Sequence, residues 1–173
     1  MPETISQTIE IPLDQILLND NNLRDGINQD YVATLSVSMA VDGQKNAIKV
    51  RRLPAVEIAN LPLNLTIPKG VDIYRNVGGD HRYLAARKLG WATIKAIVLD
   101  VTAQEAVLEG HLDNQGQPKT WFANYRAIEA TAVVYPKMTQ QAIADKVMTT
   151  RVQVNQAQQD TTLPQCRCPG GNL

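Results

Sequence analysis

Val77-Gly78-Gly79-Asp80-His81-Arg82-Tyr83 joins two runs of different period. Before it, Ile73-Tyr74-Arg75-Asn76-Val77 reads as a strand. After it, Tyr83, Ala85, Ala86 and Leu89 fall at helical spacing, and Gly90 closes the run. Glycines let the backbone approach a ligand, and a helix start presents unpaired N–H groups with partial positive charge. Gly78, Gly79 and the following N–H groups are therefore a candidate anion cradle. Arg82 adds a phosphate-matching fork in the first turn, and His81 adds a pH-dependent donor. Asp80 suits the N-cap, and it could also hold magnesium or act as a base. The same stretch is a common way to turn and cap, so alone it does not decide between ligand and turn.

Outward from this joint the chain reads as α+β over residues 1–100 and helical beyond. Upstream, Ile9 to Ile11 is a short strand, followed by a turn or short helix at 12–18. Tyr31, Leu35 and Met39, with Val32, give a helical stripe ended by Asp42-Gly43, and Ala47 to Arg51 alternates as a strand. Residues 53–72, with three prolines, read as an irregular insertion with a strand near Leu63 to Ile67. Downstream, Ile94 to Leu99 is a buried strand, and Thr102 with Glu105 forms a capping box opening a helix to about Leu112. Helices follow at Trp121 to Val134, at Met138 to Val147 with Thr139 as N-cap, and at Thr150 to Gln158. The expected division is 1–115, a helical segment 116–158, and a disordered tail 159–173.

Composition bounds the function. The 173 residues carry 17 acids and 17 bases, with 44% hydrophobic content, as in an ordinary soluble domain. Residues 1–35 hold six acids against one base; residues 45–95 hold ten bases against three acids. A cationic middle fits an anionic ligand, or a solvated face paired with the acidic start. Apolar runs are too short to span a bilayer, and Met1-Pro2-Glu3-Thr4 does not read as a signal peptide. Cys166 and Cys168 form no disulfide framework and offer half the ligands of a structural zinc site, so a reducing cytoplasm is the default. His111 reads as a surface or nucleotide-edge side chain, Trp91 as core, and Trp121 as a helix-start core anchor.

Taken together, residues 8 to 155 resemble the ParB/sulfiredoxin superfamily. Ile11 to Ile16 looks like its opening strand and turn, and Asn22-Leu23-Arg24 like its Pro-Arg element. Gly43-Gln44-Lys45-Asn46-Ala47-Ile48-Lys49-Val50-Arg51 resembles its first box, with Asn46-Ala47 where Gln-Pro is usual. Gly79-Asp80-His81-Arg82 is similar to its second box, Gly-Glu-Arg-Arg in partition proteins. Sulfiredoxins carry Gly-Gly-Cys-His-Arg-Tyr here; Asp80 replaces the cysteine, and a carboxylate cannot do that thiol chemistry. Asp113-Asn114 falls where partition proteins carry Glu-Asn-x-x-Arg, with Gln117 replacing the arginine. Residues 138–147 and 149–154 resemble the two helices of a helix-turn-helix, without the usual supporting helices or a recognisable dimerisation domain.

The resemblance implies a small mixed sheet with helices, followed by a helix-turn-helix-like segment. It implies a nucleoside triphosphate, CTP (or ATP), with Mg2+. Arg24, Gly43, Gln44, Lys45, Arg51, Gly78, Gly79, Asp80, His81, Arg82 and Asn114 would form the nucleotide site. Asp113 and Asn114 would lie by the metal. Thr139, Gln140, Thr149, Thr150, Arg151 and Gln153 would face DNA. A homodimer and a partition ATPase are the further partners, in a nucleoid- or plasmid-associated cytoplasmic protein. The second reading is an enzyme of the same superfamily, a metal-dependent nuclease or an ATP-dependent small-molecule kinase, with Asp80 catalytic. Slow hydrolysis of CTP belongs with the first.

Overall fold

The strand of the strand–glycine–helix joint belongs to a mixed five-stranded sheet. The computed structural model describes residues 8–18, 27–61, 70–113 and 120–159. They fall into two units, divided after Asp100. In the first unit the strands are β1 (Thr8–Pro12), β2 (Ile16–Leu17), β3 (Ile48–Arg52), β4 (Tyr74–Gly78) and β5 (Thr93–Leu99). Their order across the sheet is β1-β5-β3-β4-β2. β1 and β5 are antiparallel, as are β3 and β4; β5 and β3 are parallel, as are β4 and β2. The helices of this unit are α1 (Gln29–Asp42), α2 (Ala55–Ala59) and α3 (Asp80–Lys88).

Local chemistry explains the ends. The Asn28 side chain accepts from the Tyr31 amide at 3.0 Å and caps α1. Gly43, at φ +72°, ends it by donating to the Met39 carbonyl. Gly90, at φ +69°, closes α3, and the Trp91 amide reaches back to the Ala86 carbonyl. The stripe on α1 differs from the expected one. Val32, Ser36 and Met39 are buried, whereas Tyr31 is exposed. Ser36 can occupy the core side because its hydroxyl donates to the Ala33 carbonyl at 2.7 Å.

α1 and α3 pack together. The core joins Ile11, Ile48, Val50, Tyr83, Ala86 and Ile94, among others, with Trp91 packed against it. The small Ala85 and Ala86, fully buried, let α3 lie close to its neighbours. The Tyr83 hydroxyl is buried between the carbonyls of Leu13 (3.2 Å) and Ile16 (3.1 Å). It thereby fastens α3 to the turn between β1 and β2. In the insertion at 53–72 the described part forms α2; the strand expected near 63–67 lies outside the described residues.

The second unit holds α4 (Ala103–Asp113), α5 (Trp121–Val134), α6 (Gln140–Val147) and α7 (Arg151–Gln159). α4 groups with the helices that follow it. The capping box is present: the Thr102 amide donates to Glu105 at 2.8 Å, and the Glu105 amide to the Thr102 hydroxyl at 3.2 Å. Those bonds hold the Glu105 carboxyl below its usual range. Leu108, Ile128, Ile143, Val147 and Val154 form the core of this unit. His111 is buried there, its Nε2 at 3.1 Å from the Val147 carbonyl, which corrects the surface reading. A carbonyl only accepts, so that nitrogen carries the proton. Trp121 is also corrected: it is 43% exposed and stacks on Tyr125, with ring centres 5.4 Å apart. Its place one residue after the N-cap leaves it at the rim of the bundle. The tail containing Cys166 and Cys168 lies outside the described residues.

Two stability tests follow from these contacts. Between α6 and α7, Met148 adopts φ +56° with its side chain 65% exposed. A left-handed residue with a Cβ is disfavoured by roughly 1–2 kcal/mol. Met148→Gly is expected to stabilise the helical unit by about 1 kcal/mol in urea titration; a loss of stability would mean that the methionine side chain packs. The second concerns Tyr83, whose pKa is raised above 10.0 by burial. Below pH 10 both folded and unfolded states keep the proton and the stabilisation is whole. It is lost as pH climbs through the raised folded value. Tyr83→Phe should reduce stability at neutral pH by about 1 kcal/mol and weaken the alkaline fall, leaving the part due to Tyr74, also raised by burial. An unchanged alkaline slope would remove Tyr83 from this role.

Candidate nucleotide site and helical segment

Gly79 makes the site possible. It is the N-cap of α3 at φ +99°, ψ +31°, a conformation that side chains rarely adopt. A Cβ there would stand 2.8 Å from Ile48 Cγ2 and 3.4 Å from Arg82 Cζ. Glycine is thus required both by the backbone and by the closeness of β3. The Tyr83 amide bonds back to the Gly79 carbonyl at 3.1 Å, starting the helix. The amides of His81 and Arg82 come before the first helical donor, Tyr83, and stand at the helix start. This is the geometry of an anion cradle.

Asp80 is not the N-cap. It is the first helical residue, favourably placed against the helix dipole. The Asn76 side chain, 1% exposed, donates its Nδ2 to Asp80 Oδ1 at 2.6 Å. Asn76 Oδ1 is buried without a hydrogen-bond partner. The signal for this pair is a polar residue in the middle of a strand, four positions before an acid; the motif reading passes over Asn76. His81 meets Tyr31 edge-on, ring centres 5.1 Å apart. That contact draws the first turns of α1 and α3 together and gives the exposed Tyr31 its place.

Arg82 connects the two boxes. Its Nη1 donates to the carbonyls of Asn46 (2.9 Å) and Ala47 (2.5 Å). The segment from Gly43 to Ala47 is thereby held beside the start of α3. Gln44 holds the other side of that segment. Its Nε2 donates to Asn46 (3.0 Å) and Lys95 (2.8 Å) carbonyls, and its Oε1 accepts from the Lys95 amide at 2.7 Å. Buried to 8% exposure, Gln44 acts as a fastener to β5. Lys45 is exposed and pairs with Asp42 at 3.0 Å. Arg51, expected among the phosphate groups, is buried and forks onto Glu57 of α2 at 3.0 and 2.5 Å. Arg52 pairs with Asp72. Several cations of the basic middle therefore meet nearby acids, and the insertion supplies Glu57 for one of them. Gly78 ends β4 and is buried. Arg24 and Asn114 lie outside the described residues; Asp113 ends α4 in the second unit. Among the described residues no cluster of three or more His, Cys, Asp or Glu offers a metal cage. Two concavities of about 360 and 790 Å³ open beside Trp91, Ala92 and Thr93, and neither is lined by Gly79 or Asp80.

In the helical unit the predicted DNA-facing residues play distinct parts. Thr139 caps α6, accepting from the Ala142 amide at 3.3 Å. Thr150 accepts from the Gln153 amide at 3.3 Å and serves α7 in the same way. Gln140 Nε2 donates to Gln158 Oε1 at 2.8 Å, tying the start of α6 to the end of α7. The Thr149 hydroxyl donates to Gln153. Arg151 is exposed on the first turn of α7. The left-handed turn at Met148 brings α7 back against α6, burying Val147, Val154 and Ala157 between helices.

Comparison with known proteins agrees with this architecture. A crystal structure of a C-terminally truncated chromosome-partitioning protein ParB from Caulobacter crescentus, complexed with CTP-gamma-S, superposes with a TM-score of 0.51. It covers 92% of this chain and 81% of that one at 20% identity. The same truncated protein complexed to the centromeric parS site gives a TM-score of 0.53 over 91% of this chain and 73% of that one, also at 20% identity. The nucleoid occlusion protein of Lysinibacillus sphaericus (strain C3-41) is 26% identical over 150 residues, 83% of this chain. The chain spans 43% of the length of that relative. The model of the ParB N-terminal domain matches residues 2–114, and the chain belongs to that family.

Proposed function

We propose that the chain binds a nucleoside triphosphate, CTP by preference, at the start of α3 and associates with DNA through α6 and α7. The bound nucleotide biases the DNA-associated state. The observation that carries this reading is the joint at Gly79. It combines a left-handed glycine with no room for a Cβ, a helix start without a side-chain cap, and Arg82 tying both boxes together. In support, the Caulobacter relative of the same fold was crystallised with a CTP analogue and with a DNA site. A nucleoid occlusion protein as a relative supports association with the nucleoid.

The residues have clear parts. The amides of Asp80, His81 and Arg82 would bind phosphate oxygens. Arg82 would add charge while keeping the segment at 43–47 in place, where the base or ribose end would lie. His81, held edge-on by Tyr31, would orient a donor toward phosphate. Asp80 is a hard oxygen ligand beside an anion site, and so fits a magnesium ion carried in on the phosphates. That ion would neutralise phosphate charge. Asp113 and Asn114 are proposed as metal-side residues on the family resemblance alone. DNA association would run through Arg151 and the polar face of α7, and phosphate contacts would make it salt-dependent.

A second reading, an enzyme using Asp80, is favoured by one observation. Asn76 Nδ2 donates to Asp80 Oδ1 and holds that carboxyl in one orientation at the first turn of α3, and a fixed oxygen donor suits a metal ligand.

Calorimetric titration with CTP, ATP, GTP and UTP, with and without magnesium, tests both. Selective CTP binding is expected. Arg82→Ala should weaken it at least tenfold, in line with a charge-assisted hydrogen bond of about 1.5–3 kcal/mol, with thermal unfolding confirming a folded chain. Unchanged affinity in the folded variant would sink the site. ATP selectivity, with turnover lost in Asp80→Asn, would establish the enzyme instead.

A further inference from the structure

Helix α7 turns an amide-rich face to solvent. Each residue advances the helix by about 100°, so Arg151, Val152, Asn155, Gln156 and Gln159 fall within an arc of about 140°. All five are exposed, and Val154 and Ala157 on the opposite side are buried. The arc holds one cation, three carboxamides, one branched apolar side chain and no carboxylate. A face meant for a polyanion should lack acids, and this one does. The helix is also firmly seated. Gln158, beside the arc, accepts from Gln140 of α6 at 2.8 Å. Within the arc, Gln159 Nε2 donates to Asn155 Oδ1 at 3.1 Å and fixes which way that amide points.

We infer that this face reads A·T base pairs in the major groove of duplex DNA; the inference rests on the DNA association proposed above. The argument is by donor and acceptor pattern. A carboxamide offers an acceptor and a donor side by side, which match N6 and N7 of adenine. Guanine presents two acceptors and is read by Arg or Lys; Arg151 is the one such group in the arc. Cytosine presents a donor best met by a carboxylate, and α7 has none. Val152, 66% exposed, supplies methyl groups suited to the thymine methyl. The site that fits is therefore A·T-rich under Asn155 and Gln156, with at most one guanine at the edge reached by Arg151.

The test is selection of binding sites by the full chain from a randomised duplex library at low salt, with and without CTP and magnesium, followed by anisotropy titrations. Enriched sites should carry A·T pairs at central positions, and changing one to G·C should weaken binding about tenfold. Asn155→Ala, an exposed change checked by thermal unfolding, should remove discrimination at one base pair and lower affinity for the selected site about tenfold. DNA binding with G·C-rich sites, with no base preference, or with discrimination intact in Asn155→Ala would overturn the inference while leaving DNA association standing. No affinity for any duplex would overturn both.

Discussion

The contact between Gly79 and Ile48 constrains everything around it in the first unit. With 2.8 Å between Ile48 Cγ2 and the place a Cβ would occupy, the start of α3 lies against the Ile48 side chain with no room for one of its own. That closeness lets a single arginine in the first turn reach the carbonyls just before β3. It also fixes the height of α3 over the sheet, so that Tyr83, one turn on, meets the carbonyls of Leu13 and Ile16. The left-handed start of α3 and its contact with Ile48 both depend on one missing methyl group. A methyl there would have to push apart a strand whose Ile48 and Val50 are completely buried.

The fold is readable where one local signal dominates. The strand at 74–78, the left-handed glycine, and α3 announce themselves through a change of period at two glycines. The capping residues Thr102, Thr139 and Glu105 are equally legible, since a cap is set by chemistry a few residues apart. Burial is harder to read where a side chain finds a partner far along the chain. His111 sits among acids in sequence and so reads as exposed, yet the Val147 carbonyl, thirty-six positions on, lets it enter the core. Ser36 joins Leu35 on the core side of α1 because a local carbonyl satisfies its hydroxyl. The area of Trp121 argues for the interior, but its place at the very start of α5 leaves it stacking on Tyr125.

The candidate site shows the same division. Glycines and first-turn residues are legible because their role depends on backbone geometry. The long-range roles of Gln44 and Arg51 are not. Gln44 imitates a piece of strand, giving β5 both a donor and an acceptor. Arg51, itself buried, pairs with the partly exposed Glu57, a residue within the stretch that reads as an irregular insertion. That insertion therefore contributes to the fold, because it supplies the acid that lets an arginine lie within the sheet. A buried arginine without such a partner would be strongly destabilising.

Asn76 completes the joint. A buried amide oxygen without a donor costs the fold on the order of 1–3 kcal/mol, and an apolar side chain of similar size would avoid that. What the amide does accomplish is visible in its other half. It holds one oxygen of Asp80 at 2.6 Å, at the first position of the helix. The helix dipole favours negative charge at that same position. The amide donor and the helix dipole therefore both act on Asp80 at the first position of α3. Asn76 thus ties the middle of β4 to the first turn of α3 through Asp80, a second fastening at the joint beside that of Arg82.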